Sequence, residues 1–266
     1  MSAPHLRVCV LTAFPQWLQA PLGSGVLGRA AAAGLVAVDA VDLRAFTQDR
    51  HHTLDDAPFG LGAGMLMKAE PVLAALDAVA AGGGAVRVLL APDGERFDQA
   101  MAAELAQAEM LVLVCGRYEG IDDRVRAAVD RVVSLGDFVV MGGEAAAWAV
   151  AEAVARLVPG VVEARSLEEE SFGDDGLLEA PQYTRPASFE RAGRSWAVPP
   201  VVRAGDHGRE RRARRRSALC RTLLRRPDLL RGRPSAAGDS ALWGEILVAA
   251  ATWADAAADW SEQMLY

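Results

Sequence analysis

The chain has 266 residues, 52% apolar and 24% charged, enough for one large domain or two modest ones and too ordinary a balance for wholesale disorder. No apolar run reaches the roughly 18–20 residues of a membrane-spanning helix, and the absence of asparagine excludes N-glycosylation. Cys9, Cys115 and Cys220 are odd in number and far apart, which argues against a disulfide framework or a Cys-built metal site, and no signal pattern opens the chain. A cytoplasmic globular protein with no membrane partner is the expectation.

Apolar runs of β-branched character fall at 6–13, 35–41, 86–90, 110–115 and 131–135. Helix-period stretches lie between them at 25–33, 71–79, 98–107, 121–129 and 145–157. Such alternation predicts an α/β fold with a mostly parallel sheet covered on both faces. Beyond Pro159 and Gly160 the pattern changes. The acidic, then Gly- and Pro-punctuated stretch 163–185 reads as a loop or linker. An Arg-rich helix is expected from about 206 to 226, stopped by Pro227, and a last amphipathic helix from 242 to about 260. The predicted domains are 1–160, a linker at 161–180, and a mostly helical, Arg-rich part at 181–266.

Charge is unevenly placed. The net is −7, but 203–233 carries twelve arginines against Asp206, Glu210 and Asp228, a local +9 that leaves −16 elsewhere. Such asymmetry fits either a polyanion-binding patch or a solvated helix face.

Among motifs, GSGVLG at 23–28 matches the dinucleotide fingerprint. However, Pro15 and Pro21 separate it from the preceding strand, so a plain helix start is the better reading. The His51-His52 pair lies among Asp49, Asp55 and Asp56 without metal-ligand spacing, so no metal site is expected there. Three glycine-bearing loops stand out: 60–64, 115–120 and 136–144. The second and third directly follow predicted strands, where open α/β sheets bind ligands and glycine admits close backbone approach.

These loops and their neighbours resemble one family, the bacterial tRNA (guanine-37-N1) methyltransferases, the TrmD family of the SPOUT class. The resemblance runs through LTAFP at 11–15, FTQDRHHTLDD at 46–56, GAGMLM at 62–67, APDG at 91–94, CGRYEGID at 115–122, 134–144, YTRP at 183–186, VPPV at 198–201 and GDH at 205–207, and ends in 221–230. It implies a trefoil knot in the C-terminal part of the first domain and a homodimer with the active site at the subunit interface. The implied methyl donor is S-adenosylmethionine, and members commonly depend on Mg²⁺. By motif match the donor is held by Pro92, Gly94, Gly116, Arg117, Glu119, Leu135, Gly136, Asp137, Phe138, Val139, Val140, Gly142 and Gly143.

The resemblance assigns the catalytic base to the residue before Ser171-Phe172, here Glu170 where the family has Asp, with Glu169 as a lesser candidate. Arg156 matches the arginine that steadies charge on guanine O6. Asp49, His51 and Asp55 fall where the family reads the target base and its neighbour, and His207 and Arg215 lie in its RNA-contacting helix. The implied partner is the tRNA anticodon stem-loop, with 211–216 and 221–226 on its phosphates. Met141, Ala146, Phe138, Leu61 and Ala63 replace a customary Ser, Pro, Tyr, Gly and Pro. Because the donor site is built from backbone groups, these replacements should tune affinity rather than abolish it. A SPOUT enzyme on another RNA and a catalytically silent RNA binder remain open.

Overall fold

A computed structural model describes residues 4–18, 25–60, 64–231 and 238–253, with side chains through 247. The chain divides into two compact units, 1–164 and 165–266.

The first unit is built on five strands: β1 (Leu6–Thr12), β2 (Val36–Asp42), β5 (Ala85–Arg96), β6 (Met110–Cys115) and β7 (Arg131–Ser134). They pair in the order β2-β1-β6-β5-β7, every pair parallel. A separate two-stranded ribbon joins β3 (Asp55–Asp56) and β4 (Leu66–Met67).

Side-chain alternation sends each central strand into two cores. Leu6, Val8, Val10, Leu111, Leu113 and Cys115 face one way. They pack on α1 (Gly25–Ala32), α3 (Gln99–Leu105) and α4 (Glu144–Ala155). Cys9, Leu11, Val112 and Val114 face the other way, toward α2 (Ala69–Val79) and the 3₁₀ turn that buries Val125. The small residues Ala147, Ala151 and Ala155, with Val150 and Val154 between them, let α4 lie close on the sheet.

Two expectations shift. The run at 121–129 forms a 3₁₀ helix, Asp123–Ala128, because Asp122 caps it from the Arg124 N–H and only Val125 reaches the core. Strand β5 continues to Arg96, past Pro92. Val133 pairs first with Leu90 and again with Glu95, so residues 91–94 are looped out of the ladder. A side chain at Gly94 would come within 2.5 Å of the Val133 backbone nitrogen, so only glycine lets the strands close again.

In the second unit the stretch expected to be a linker carries α5 (Ala164–Glu169) and then a turn seated on a longer helix. Leu178 N–H donates to Thr222 Oγ1 at 3.0 Å, and Arg221 donates to the Glu179 carbonyl. Leu177 is buried with Leu219, Cys220, Leu242 and Ile246. The unit also holds a hairpin that the helical expectation lacked, β8 (Ser188–Arg191) with β9 (Arg194–Ala197). Ala192 and Gly193, both at positive φ, make its two-residue turn. Phe189 and Trp196 stack across it, with Arg194 over the Trp196 ring. After α6 (Pro200–Arg203) come α7 (His207–Arg225), capped by Asp206 and ended at Pro227, and α8 (Asp239–Trp253). Residues 254–260 of the predicted last helix lie outside the described residues, as does the start of the GSGVLG run. Its described part, from Gly25, opens α1 as a plain helix start.

Candidate active site

The C-terminal ends of β6 and β7 and the excursion in β5 converge on one cavity of about 520 Å³, within the ordinary range for a small-molecule site. Its walls come from 89–93, 116–121, 133–136 and 138–143, closed by Arg126 and Ala146. Of the residues assigned to the donor, Pro92, Gly116, Arg117, Glu119, Leu135, Gly136, Phe138, Val139, Val140, Gly142 and Gly143 line it. Gly94 and Asp137 do not. For Gly94 the requirement for glycine is the close packing of β5 on β7.

Loop 135–143 leaves the edge strand and returns to the end of β6. Gly143 N–H donates to the Gly116 carbonyl at 2.8 Å, and a Cβ there would sit 2.7 Å from Cys115 Cα. A side chain at Gly142 would collide with Arg117, 2.2 Å from Nε. Arg117 threads past that glycine and pairs with Glu144 (Nη2 to Oε2, 2.8 Å), and its Nη1 donates to the Met141 carbonyl at 3.3 Å. Its guanidinium lies 4.5 Å above the Phe14 ring, and Thr12 Oγ1 donates to Glu144 Oε1 at 2.6 Å. Glu144 is 1% exposed. Burial first, and then the Glu144 carboxylate, push the Cys115 thiol well above its ordinary range, so this cysteine is a neutral core group.

On the other rim, Tyr118 adopts a left-handed backbone (φ 58°). Desolvation, followed by the Asp55 carboxylate it hydrogen-bonds, raises its phenol pKa. Asp93 is held below the carboxylate range by a hydrogen bond from Arg126, which also grips Asp123. Val139 (84% exposed) and Met141 (93%) present an apolar run outward with Phe138 and Val140.

The model of the family described as tRNA (Guanine-1)-methyltransferase TrmD matches residues 6–232. The chain belongs to this family. A curated relative from Chloroflexus aggregans, named tRNA (guanine-N(1)-)-methyltransferase, is 54% identical over 237 residues, covering 88% of this chain and 90% of the relative. One of the same name from Chloroflexus aurantiacus is 52% identical, covering 91% and 96%. A third, from Desulforudis audaxviator, is 49% identical over 90% and 95%.

The other residues carried over from the family fall in three places. Asp49 closes a turn: its carboxylate accepts from His51 N–H at 2.9 Å and from the backbone and hydroxyl of Thr53. Desolvation opposes them, but these bonds carry Asp49 below the ordinary range. His51 is exposed, and Asp55 meets Tyr118 at the cavity rim. Arg156 caps the C-terminus of α4 in the first unit. Glu170 follows the last residue of α5 in the second, while Glu169 is engaged by Arg165 at 3.2 Å and Arg214 at 3.5 Å.

On α7, His207 is exposed near Glu210. Arg215 is tied into the unit itself, bound to Asp239 at 2.8 Å and to Asp175. The Asp239 hydrogen bond leads in raising its pKa. Arg212 and Arg226 likewise pair with Glu245 and Asp228. Arg209, Arg211 and Arg225 are exposed and pair with no carboxylate among the described residues. Sequence reasoning left Thr12, Phe14 and Glu144 without a role. Glu144 closes the 136–144 loop motif and Thr12 and Phe14 lie in the 11–15 run, so each sat in a motif that gave it no role.

Proposed function

We propose that the protein transfers a methyl group from S-adenosylmethionine to N1 of guanine 37, beside the anticodon of tRNAs with guanine at 36. The observation that carries this reading is the cavity of glycine-bearing loops at the strand ends, in a member of this family. Its walls suit the donor: Leu89, Leu90, Val133 and Leu135 offer an apolar slot for a purine, and Glu119 offers a carboxylate to a cationic group. Gly142 and Gly143 let Arg117 and Cys115 pack directly against the loop that forms this wall. When bound, the donor supplies a methyl group already activated by its sulfonium.

The protein's own task is at the guanine. N1 becomes nucleophilic only after losing its proton, so a general base must take that proton away before the freed lone pair can line up with the methyl carbon, the rest of the donor leaving as a neutral thioether. Glu170 is assigned this role. Glu169, which meets Arg165 and Arg214, is kept as the lesser candidate on its place in the motif. Arg156 counters the charge that builds on O6 as N1 is deprotonated. Asp49, His51 and Asp55 read the base and its neighbour, with the Asp55–Tyr118 pair linking that loop to the cavity rim.

The exposed arginines of α7 would hold anticodon-arm phosphates, with His207 beside them at the helix start. The target base must leave its stack, at a cost on the order of a few kcal/mol. The return of loop 135–143 from the edge strand to β6 supports the trefoil knot, and the outward apolar run 138–141 supports a homodimer that covers it. A tRNA substrate would place the reaction in the cytoplasm. For Mg²⁺, no three His, Cys, Asp or Glu side chains converge among the described residues, and no step is routed through a metal.

The test is single-turnover transfer from labelled S-adenosylmethionine to a transcript with guanine at 36 and 37. Wild type should transfer. Glu170→Gln should lose about 10²–10⁴-fold in rate with donor binding intact. Transfer that survives in Glu170→Gln would move the base elsewhere. A wild type that binds donor and tRNA without transferring would make the chain a silent RNA binder.

A further inference from the structure

Arg117 is a pocket residue whose guanidinium is consumed by protein contacts. It reaches past Gly142, lies on the Phe14 ring, donates to the Met141 carbonyl and pairs with Glu144. Glu144 in turn is buried at the first turn of α4, with its second oxygen fixed by Thr12 at the end of β1. Three segments far apart in sequence therefore meet at one carboxylate: the end of the central strand β1, the loop after β6, and the loop after β7.

We propose that Glu144 is a positioning residue. Through Arg117 it holds loop 138–143, the outer wall of the cavity, in the shape that receives the donor. This rests on the reading of the cavity as the donor site. The latch itself is a property of the protein alone and can be measured without any ligand.

Within a single copy of the chain, Met141 and its neighbours have few side-chain contacts of their own. Phe138, Val139, Val140 and Met141 are largely exposed there, so the chain's own apolar core does not pack this wall. An arginine only 20% exposed, paired to a buried carboxylate, takes over that task, because losing either member leaves the other charge without its partner. Arg117 Nε and Glu144 Oε2 are both buried without a hydrogen bond among the described residues, so the pair holds by charge, and the arginine takes its orientation from the Met141 carbonyl and the Phe14 ring. Thr12 removes rotational freedom from the carboxylate.

The test compares the full-length protein with Glu144→Gln, which keeps shape and removes charge, and with Gly142→Ala. The latter displaces Arg117 sterically while leaving Glu144 intact. Arg117→Met and the Glu144→Gln/Arg117→Met double variant complete a cycle. Hydrogen exchange of apo protein should speed up at amides 138–143 in each variant and stay unchanged in β1 and β6. Calorimetric binding of S-adenosylhomocysteine should weaken by about tenfold or more in each single variant, with no further loss in the double. Unchanged exchange at 138–143, or losses that add in the double variant, would overturn the latch. If Glu144→Gln does not fold, Gly142→Ala carries the same two readouts. A wild type whose loop exchange obeys the latch but which takes no S-adenosylhomocysteine would overturn the donor reading, and with it the role in donor capture.

Discussion

The two units use glycine and arginine in opposite ways. In the first, the site is mostly backbone: β6 and β7 end, the chain turns at glycines, and close packing such as Gly143 on Cys115 shapes the walls. In the second, what matters is which side chains are already occupied. Of the arginines on and just after α7, Arg212, Arg214, Arg215 and Arg226 are joined to acids within the unit, whereas Arg209, Arg211 and Arg225 are exposed and pair with no acid among the described residues. A glycine motif declares its function by position, but a charge run does not. The local +9 read from the sequence is partly internal structure.

Substitutions can sharpen that contrast. The largest stability effect should come where glycine meets backbone. Gly143→Ala drives a Cβ against Cys115 Cα, and Gly94→Ala drives one against Val133. Each should cost about 1–3 kcal/mol as overpacking, read as a lower denaturation midpoint, and Gly143→Ala should also weaken S-adenosylhomocysteine binding. A Gly143→Ala protein with wild-type stability and binding would mean the loop has room that its contacts deny.

Next are the two kinds of arginine. Arg215→Ala removes from Asp239, 4% exposed, the guanidinium that donates to both of its oxygens. It should destabilise the protein by about 1–2 kcal/mol, well below the fully buried case because Arg215 is partly exposed. Arg211→Ala should leave the denaturation midpoint unchanged and lower the salt slope of tRNA binding by about one. The opposite assignment of effects would erase the distinction between structural and RNA-facing arginines.

The smallest effect concerns Asp122, held at about 2 by the Arg124 side chain and backbone. A depressed carboxylate stabilises above its unfolded pKa and loses that contribution as pH falls through its folded value. Asp122→Asn should therefore lower the midpoint slightly at pH 5–7, by less than about 1 kcal/mol for a largely solvated pair. The gap should close as the pH approaches about 2. A gap independent of pH would assign the effect to the cap geometry alone.

Much of the first unit could be read from the sequence for a physical reason. Strands buried on both faces, such as β6 at Met110–Cys115, are continuous apolar runs whose ends are sharp. The extension of β5 to Arg96 was not legible, because pairing resumes at Glu95 only through a strand 38 residues further on in sequence (Glu95 to Val133). The hairpin at 188–197 carried a local signal, since Phe189, Arg191, Arg194 and Trp196 fall on one face about an Ala-Gly turn. The stretch nevertheless has no element of its own in the reading from sequence, within a part expected to be mostly helical. Arg215 looked like its neighbours, because its partners Asp175 and Asp239 lie on other elements. Glu144 and Thr12 are 132 residues apart, and no local pattern joins them.

The most direct test of the central claim is the position of the transferred methyl group. Wild-type protein, labelled S-adenosylmethionine and a transcript with guanine at 36 and 37 should give label at N1 of guanine 37 alone, and adenine at 37 should abolish it. Label elsewhere in the RNA, or transfer that ignores the base at 37, would contradict the account.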